Sequence, residues 1–177
     1  MKLLIVDRDG VVSRDPDGRT ARAEDWQSQP GSAGAIARLV HGGWRVAVLA
    51  DRGPLVRGTC DMSALVAVHG RMIDEIEAAG GRIDAIVFVP APEGDADTRC
   101  RDAAASIADA LARMEVPPDE TVLVADTCAD LDAAHAAGCR PVLVLTGRGR
   151  AAFRSGALPP GTVVRTDLAA LAVELAP

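Results

Sequence analysis

Two aspartates, Asp7 and Asp9, follow the aliphatic run Leu3-Leu4-Ile5-Val6 and precede Gly10. A second apolar run, Thr121 to Ala125, ends in Asp126, with Asp130 one helical turn beyond. Crowded carboxylates repel one another and take up protons unless a cation sits among them. An all-oxygen donor set suits Mg²⁺, which keeps several waters and also binds substrate phosphate. Beside such an ion, an aspartate on a rigid strand end can attack phosphorus. A second aspartate two residues on can protonate the leaving oxygen and then activate water. Strand-end aspartates are also ordinary turn formers. The recurrence of the pattern after a second apolar run is what turns Asp7, Asp9 and Asp126, with Asp130 in support, into a candidate phosphoryl-transfer site.

Such a site needs strands that end where the acids begin. The continuous apolar character of residues 3–6 and 121–125 predicts strands buried on both faces. Further strands are predicted at 44–50, 83–89 and 141–145, and helices at 32–41, 62–79, 102–114, 129–137 and from Asp167. Ser32 is the expected N-cap of the first helix, and Gly42-Gly43 and Gly80-Gly81 end the first two. The segments 13–30 and 90–98, rich in Pro, Gly and Asp, read as loops over the sheet. Strands alternating with helices imply right-handed βαβ units and a mainly parallel sheet, with ligands at the carboxyl ends of its strands.

The 177 residues are expected to form one domain. A formal charge of -6, with no basic stripe, argues against a nucleic-acid partner. No segment reads as a membrane span or a signal peptide, so the expected location is the cytoplasm. Cys60, Cys100, Cys128 and Cys139 form no metal-binding pair and are expected to be reduced thiols. His41, His69 and His135 read as surface or packed residues. Lys2 is the only lysine, so any cation that clamps phosphate must be arginine. The Gly147-Arg148-Gly149-Arg150 loop reads as an ordinary polar turn, with anion contact as the other option. Nothing in the sequence fixes the oligomeric state, and a monomer is the default.

Asp7-Arg8-Asp9-Gly10-Val11-Val12, Pro30-Gly31-Ser32, Leu55-Val56-Arg57-Gly58, the helix that carries His69, Ile83-Asp84-Ala85-Ile86, Asp126 with Asp130, and the stretch from Ala137-Gly138-Cys139 to Thr146-Gly147 resemble the haloacid dehalogenase superfamily. The likeness is to its capless branch of heptose bisphosphate and histidinol-phosphate phosphatases, and it runs nearly end to end. It implies a three-layer, Rossmann-like sandwich of five to six mainly parallel strands, with helices on both faces and no cap domain. It implies a Mg²⁺-dependent phosphatase of small phosphorylated metabolites, a sugar phosphate such as a heptose bisphosphate first among them. Asp7 would be the nucleophile and Asp9 the acid and base. Asp7, the Asp9 carbonyl and Asp126 would hold the metal, and Arg57 would lie near the substrate.

The chain departs from that pattern in places that bear on chemistry. Where the family's second motif reads Thr-Asn-Gln-Ser-Gly, this chain has Ala50-Asp51-Arg52-Gly53-Pro54. A phosphate-binding hydroxyl is lost and a carboxylate gained. Like charges at about 4 Å cost on the order of 4 kcal/mol at an effective dielectric near 20. For the third motif's basic residue, ungapped counting gives Arg101 and a one-residue slip gives Asp102. Asp51 and Arg101 are expected at neighbouring strand ends, where they could pair. Thr127 stands where the fourth motif is basic. These changes keep a second option open: a phosphatase-like binding or scaffold protein with impaired catalysis. A receiver-type signalling domain would want a phosphoacceptor after the third strand and a lysine after the fifth, and this chain has neither. The family's zinc loop aligns with residues 89–99, which contain none of its Cys and His ligands. Metal analysis of the purified protein is therefore expected to find no stoichiometric zinc.

Overall fold

The structure, a computed structural model, describes residues 2–15, 17–89 and 95–177. Its centre is a sheet of six parallel strands in the order β3-β2-β1-β4-β5-β6. In chain order the elements are β1 (Leu3–Asp7), α1 (Ser32–His41), β2 (Arg45–Asp51), α2 (Gly53–Val56), α3 (Met62–Ala78), β3 (Ala85–Val89) and α4 (Ala96–Met114). They continue with β4 (Thr121–Ala125), α5 (Cys128–Ala136), β5 (Arg140–Val144), α6 (Gly149–Ser155), β6 (Val163–Arg165) and α7 (Leu168–Leu175).

The alternation of side chains along β1 divides the core. Leu4 and Val6 face one layer, with Ile36, Leu39, Val68, Met72 and Leu171 of α1, α3 and α7. Leu3 and Ile5 face the other, with Ile107, Leu111, Leu131 and Ala134 of α4 and α5. All four β1 residues are fully buried, which only aliphatic side chains tolerate without partners. The scarcity of aromatics leaves this packing to Val, Leu, Ile and Ala. Among the described residues, no segment between strands forms a separate cap, and no helix is long and apolar enough to cross a membrane.

The structure adds to the sequence reading and corrects it in five places. The strand β6, which pairs Val163 with Val142, has no strong apolar signal, because all three of its residues are only half-buried. The Asp51 to Pro54 turn continues into α2, and the polar loop after β5 continues into α6. Gly31, in the left-handed region at φ 80°, is the N-cap of α1, while the Ser32 hydroxyl donates to the Val12 carbonyl instead. Helix α4 begins at Ala96 rather than 102, because the Asp95 carboxylate accepts the Thr98 N–H and caps it there. Residues 90–94 of the expected loop lie outside the described residues, and 96–98 are helical.

Candidate active site

Asp7 is the last residue of β1, and Asp126 follows the last residue of β4. The two strands are direct neighbours, with Val6 opposite Val124, so Asp126 stands one residue beyond the level of Asp7 at the same end of the sheet. The strand order reverses between them, the place where parallel sheets open a crevice for ligands. Asp130 reaches the same place from the first turn of α5. Thr127 caps that helix, accepting the Asp130 N–H at 3.2 Å and donating its hydroxyl to the Asp130 carboxylate.

Asp126 is 1 % exposed, and one of its oxygens accepts the Arg148 N–H at 2.7 Å. Two glycines make room for that carboxylate. A Cβ at Gly10 would lie 2.0 Å from Asp126 Oδ2, and one at Gly147 would lie 2.1 Å from it; both residues have positive φ. The Thr146 hydroxyl donates to the Gly10 carbonyl at 2.7 Å, tying the end of β5 to the turn after β1.

The cost of gathering these acids appears in their proton affinities. Burial, then the charges of Asp130, Asp9 and Asp126, raise Asp7 well above the carboxylate range. Burial pushes Asp126 up to about 6, against the lowering effect of the Arg148 N–H. Asp130 is raised as well, by burial first, with Asp51 and Asp9 adding to it.

These residues open into a cavity of about 390 Å³. Its described lining carries seven aspartates (the four above with Asp17, Asp51 and Asp132) and two arginines, Arg99 and Arg148. The donor set fits a hard divalent cation. The clustered acids offer oxygens, with Cys100 the one thiol of the described lining; two of the acids come from adjacent rigid strand ends, and all three buried carboxyls favour protons in the absence of a positive charge. Among the described residues, no three His, Cys, Asp or Glu side chains are gathered closely enough to hold a metal ion by themselves. Mg²⁺ does not require such a group, since it binds through one or two carboxylates and keeps its waters.

Asp9 lies at the cavity edge, with both oxygens held by Arg8: Nε to Oδ1 at 2.8 Å and Nη2 to Oδ2 at 2.7 Å. Asp51 faces the cavity, and its Oδ1 accepts the Gly53 N–H. Thr127 also lines it. The described lining does not include Ala50, Arg52, Arg57 or Arg101. Ala50 is buried in β2, and the Arg52 guanidinium lies over the Phe88 ring at 5.7 Å. A Cβ at Gly53 would meet Arg57 Nη1 at 2.5 Å and Asp51 Oδ2 at 2.9 Å, so Arg57 stands beside Asp51.

Arg101 and Asp102 are both exposed, and Arg101 donates to the Thr98 hydroxyl at 3.1 Å rather than to Asp51. Helix geometry explains this. With α4 starting at Ala96, residues 96, 99, 100 and 103 share the face toward the cavity, and 101 and 102 do not. Arg99 is thus the cavity arginine that sequence counting missed. Arg8 and His69 were missed for a different reason, since their contact spans 61 positions.

The comparisons with known proteins agree with this architecture. A family model described as HAD-hydrolase-like matches residues 102–171. The D-glycero-beta-D-manno-heptose-1,7-bisphosphate 7-phosphatase of Bordetella bronchiseptica is 39 % identical over 175 residues, covering 99 % of this chain and 98 % of the relative. The enzyme of the same name from Pseudomonas putida is 38 % identical, covering 99 % of both. The chain belongs to the heptose-1,7-bisphosphate phosphatase family of HAD-like hydrolases. The crystal structure of the B. bronchiseptica phosphatase complexed with magnesium and phosphate superposes with a TM-score of 0.90, at 40 % identity, over 99 % of this chain and 98 % of that one. The corresponding phosphatase from Burkholderia thailandensis gives 0.76 at 38 % identity, over 98 % and 97 %.

The raised carboxyls set a pH dependence. A folded-state value above the unfolded one stabilises fully below the ordinary carboxylate range and is lost as pH rises through the folded value. In protein treated with a chelator, stability is expected to fall between about pH 4 and about pH 6, the window of Asp126. Mg²⁺ is expected to restore it, and Asp126→Asn to flatten the slope. Thermal melts across that range check this, and a flat profile in the wild-type chain would contradict it.

Proposed function

We propose that this chain is a magnesium-dependent phosphomonoesterase that hydrolyses a small phosphorylated sugar, of the heptose bisphosphate type, through an aspartyl-phosphate on Asp7. The observation that carries this is the convergence of Asp7, Asp126 and Asp130 in one cavity, with proton affinities that call for a cation. The close likeness to phosphatases that act on that substrate supports the substrate class.

Asp7, the Asp9 carbonyl and Asp126 would hold Mg²⁺, with Asp130 supporting them. The ion would supply charge neutralisation for the phosphoryl group and lower the proton affinity of Asp7. An Asp7 oxygen attacks phosphorus, and the bond from phosphorus to the sugar oxygen breaks. Asp9 gives its proton to the leaving oxygen, then takes one from the water that attacks the aspartyl-phosphate. Phosphate leaves and Asp7 is regenerated. Arg99 and Arg148 are the cavity cations placed to offset charge on the phosphoryl oxygens.

A second reading, a phosphatase-like binding protein with weakened chemistry, is favoured by one observation. Asp51 directs a carboxylate into the cavity, and Arg101, expected to pair with it, donates to Thr98 instead, which leaves Arg57 as its neighbouring guanidinium.

Phosphate release from a panel of phosphorylated sugars with Mg²⁺ tests both. The wild-type chain is expected to turn over, and Asp7→Asn to lose more than about a thousandfold, as for other covalent nucleophiles. Asp51→Asn is expected to raise kcat/KM by about tenfold or more, by removing like-charge repulsion. Turnover that Asp7→Asn leaves intact would end the catalytic assignment. Magnesium binding without turnover on any substrate would favour the binding protein.

A further inference from the structure

Arg8 is 1 % exposed, one of the largest fully buried side chains in the protein. A buried guanidinium is tolerated only when its donors are met. Two of them hold the Asp9 carboxylate in a forked pair. A third, Nη1, lies 3.0 Å from His69 Nε2. Guanidinium nitrogens only donate, so His69 Nε2 accepts and the imidazole is neutral, with its proton on Nδ1. Burial, and then the Arg8 charge, lower His69 to about 4, in keeping with that neutral form.

His69 is fixed from both sides. It sits on α3 at 5 % exposure, next to the fully buried Val68, and its ring packs on Phe88 of β3 at 5.7 Å and 41°. The Arg8 backbone is equally fixed. Its N–H donates to Leu49 O at 2.9 Å, and its carbonyl accepts from Val12 and Ser13. Gly18 closes over the pair, where a Cβ would come within 2.9 Å of Asp9 Oδ2. Arg8 therefore has one well-defined guanidinium orientation, and His69 sets it from the side opposite Asp9.

We propose that His69 is a positioning residue for Asp9: through Arg8, it fixes the orientation of the proton-transferring carboxylate, which lines the cavity. A leucine would fill the same space but leave Nη1 without a partner, freeing the guanidinium to turn away from Asp9. This rests on the phosphatase reading above for its kinetic consequence, and on geometry alone for the relay itself.

The test uses the full chain. With Mg²⁺ and a phosphorylated sugar that the wild type hydrolyses, His69→Leu is expected to lower kcat by about tenfold to a hundredfold, the scale of a misaimed reacting group, with KM changed less than about twofold. His69→Gln, whose side-chain carbonyl can accept from Nη1, is expected to recover most of the loss. A merely structural role would lower stability and active fraction in both variants without this split and rescue. Unchanged kcat in His69→Leu would overturn the proposal.

Nitrogen NMR of the histidine-labelled wild-type chain gives a readout independent of turnover and of how the variants fold. Nε2 of His69 is expected bare and Nδ1 protonated; a protonated Nε2 overturns the proposal. Exchange of the Arg8 Nε–H is expected to quicken in His69→Leu and slow again in His69→Gln, and equal exchange in all three overturns it too. If the wild type has no turnover, the phosphatase reading fails, and these NMR outcomes still decide whether His69 holds the Arg8 and Asp9 pair.

Discussion

Like charge held where the sheet's central strands end is the constraint on which the rest of this molecule depends. Asp7 and Asp126 leave adjacent parallel strands at the same end of the sheet, and Asp130 enters from the first turn of α5. Left alone, these carboxyls would relax apart or remain protonated. The fold prevents the first. Both strands are packed on two faces, Thr127 holds Asp130 in place, and Gly10 and Gly147 shape a slot that only a side chain without Cβ could leave open for Asp126. Relief then comes from positive charge: the Arg8 guanidinium beneath the cavity lowers the proton affinity of Asp7, and the clustered oxygens suit a hard divalent cation.

The guanidinium has a separate task. Arg8 follows Asp7 directly, yet its side chain turns into the protein rather than into the cavity, toward Asp9 and His69. A buried Arg and carboxylate pair stabilises little by itself, because desolvation offsets most of the attraction. What it supplies is orientation, since two parallel donors fix both Asp9 oxygens. The cavity above is strongly acidic, and Asp51 adds to that, standing where the family pattern has an asparagine and next to Ala50, which takes the place of the hydroxyl. Arg99 and Arg148 are the arginines of the described cavity lining, and an anionic substrate there would meet more negative charge than with a neutral second motif.

The layers and the acids at the ends of β1 and β4 are legible in the sequence because each is a local pattern: an uninterrupted aliphatic run, then an abrupt carboxylate. The sheet's edge is less legible. β6 is three half-buried residues, and α6 has little apolar face, with Phe153 half exposed. The start of α4 is hidden for a similar reason. Its first turn, Ala-Asp-Thr-Arg, has no apolar period, and only the cap at Asp95 marks it. That one boundary decides which arginine meets the cavity, because a shift from loop to helix moves residues 99 to 102 onto different faces.

The sequence by itself determined the first five strands, the strand ends at which Asp7 and Asp126 stand with Asp9 and Asp130 close behind them, and the oxygen character of that cluster, since all of these follow from composition and order over a few residues. Only the tertiary structure decided that Arg99 rather than Arg101 faces the cavity, that Asp51 stands there without Arg101, and that Arg8 reaches His69. Those outcomes depend on helix phase and on contacts across 61 positions. Packing, not local preference, selects among the partners that a buried charge will accept.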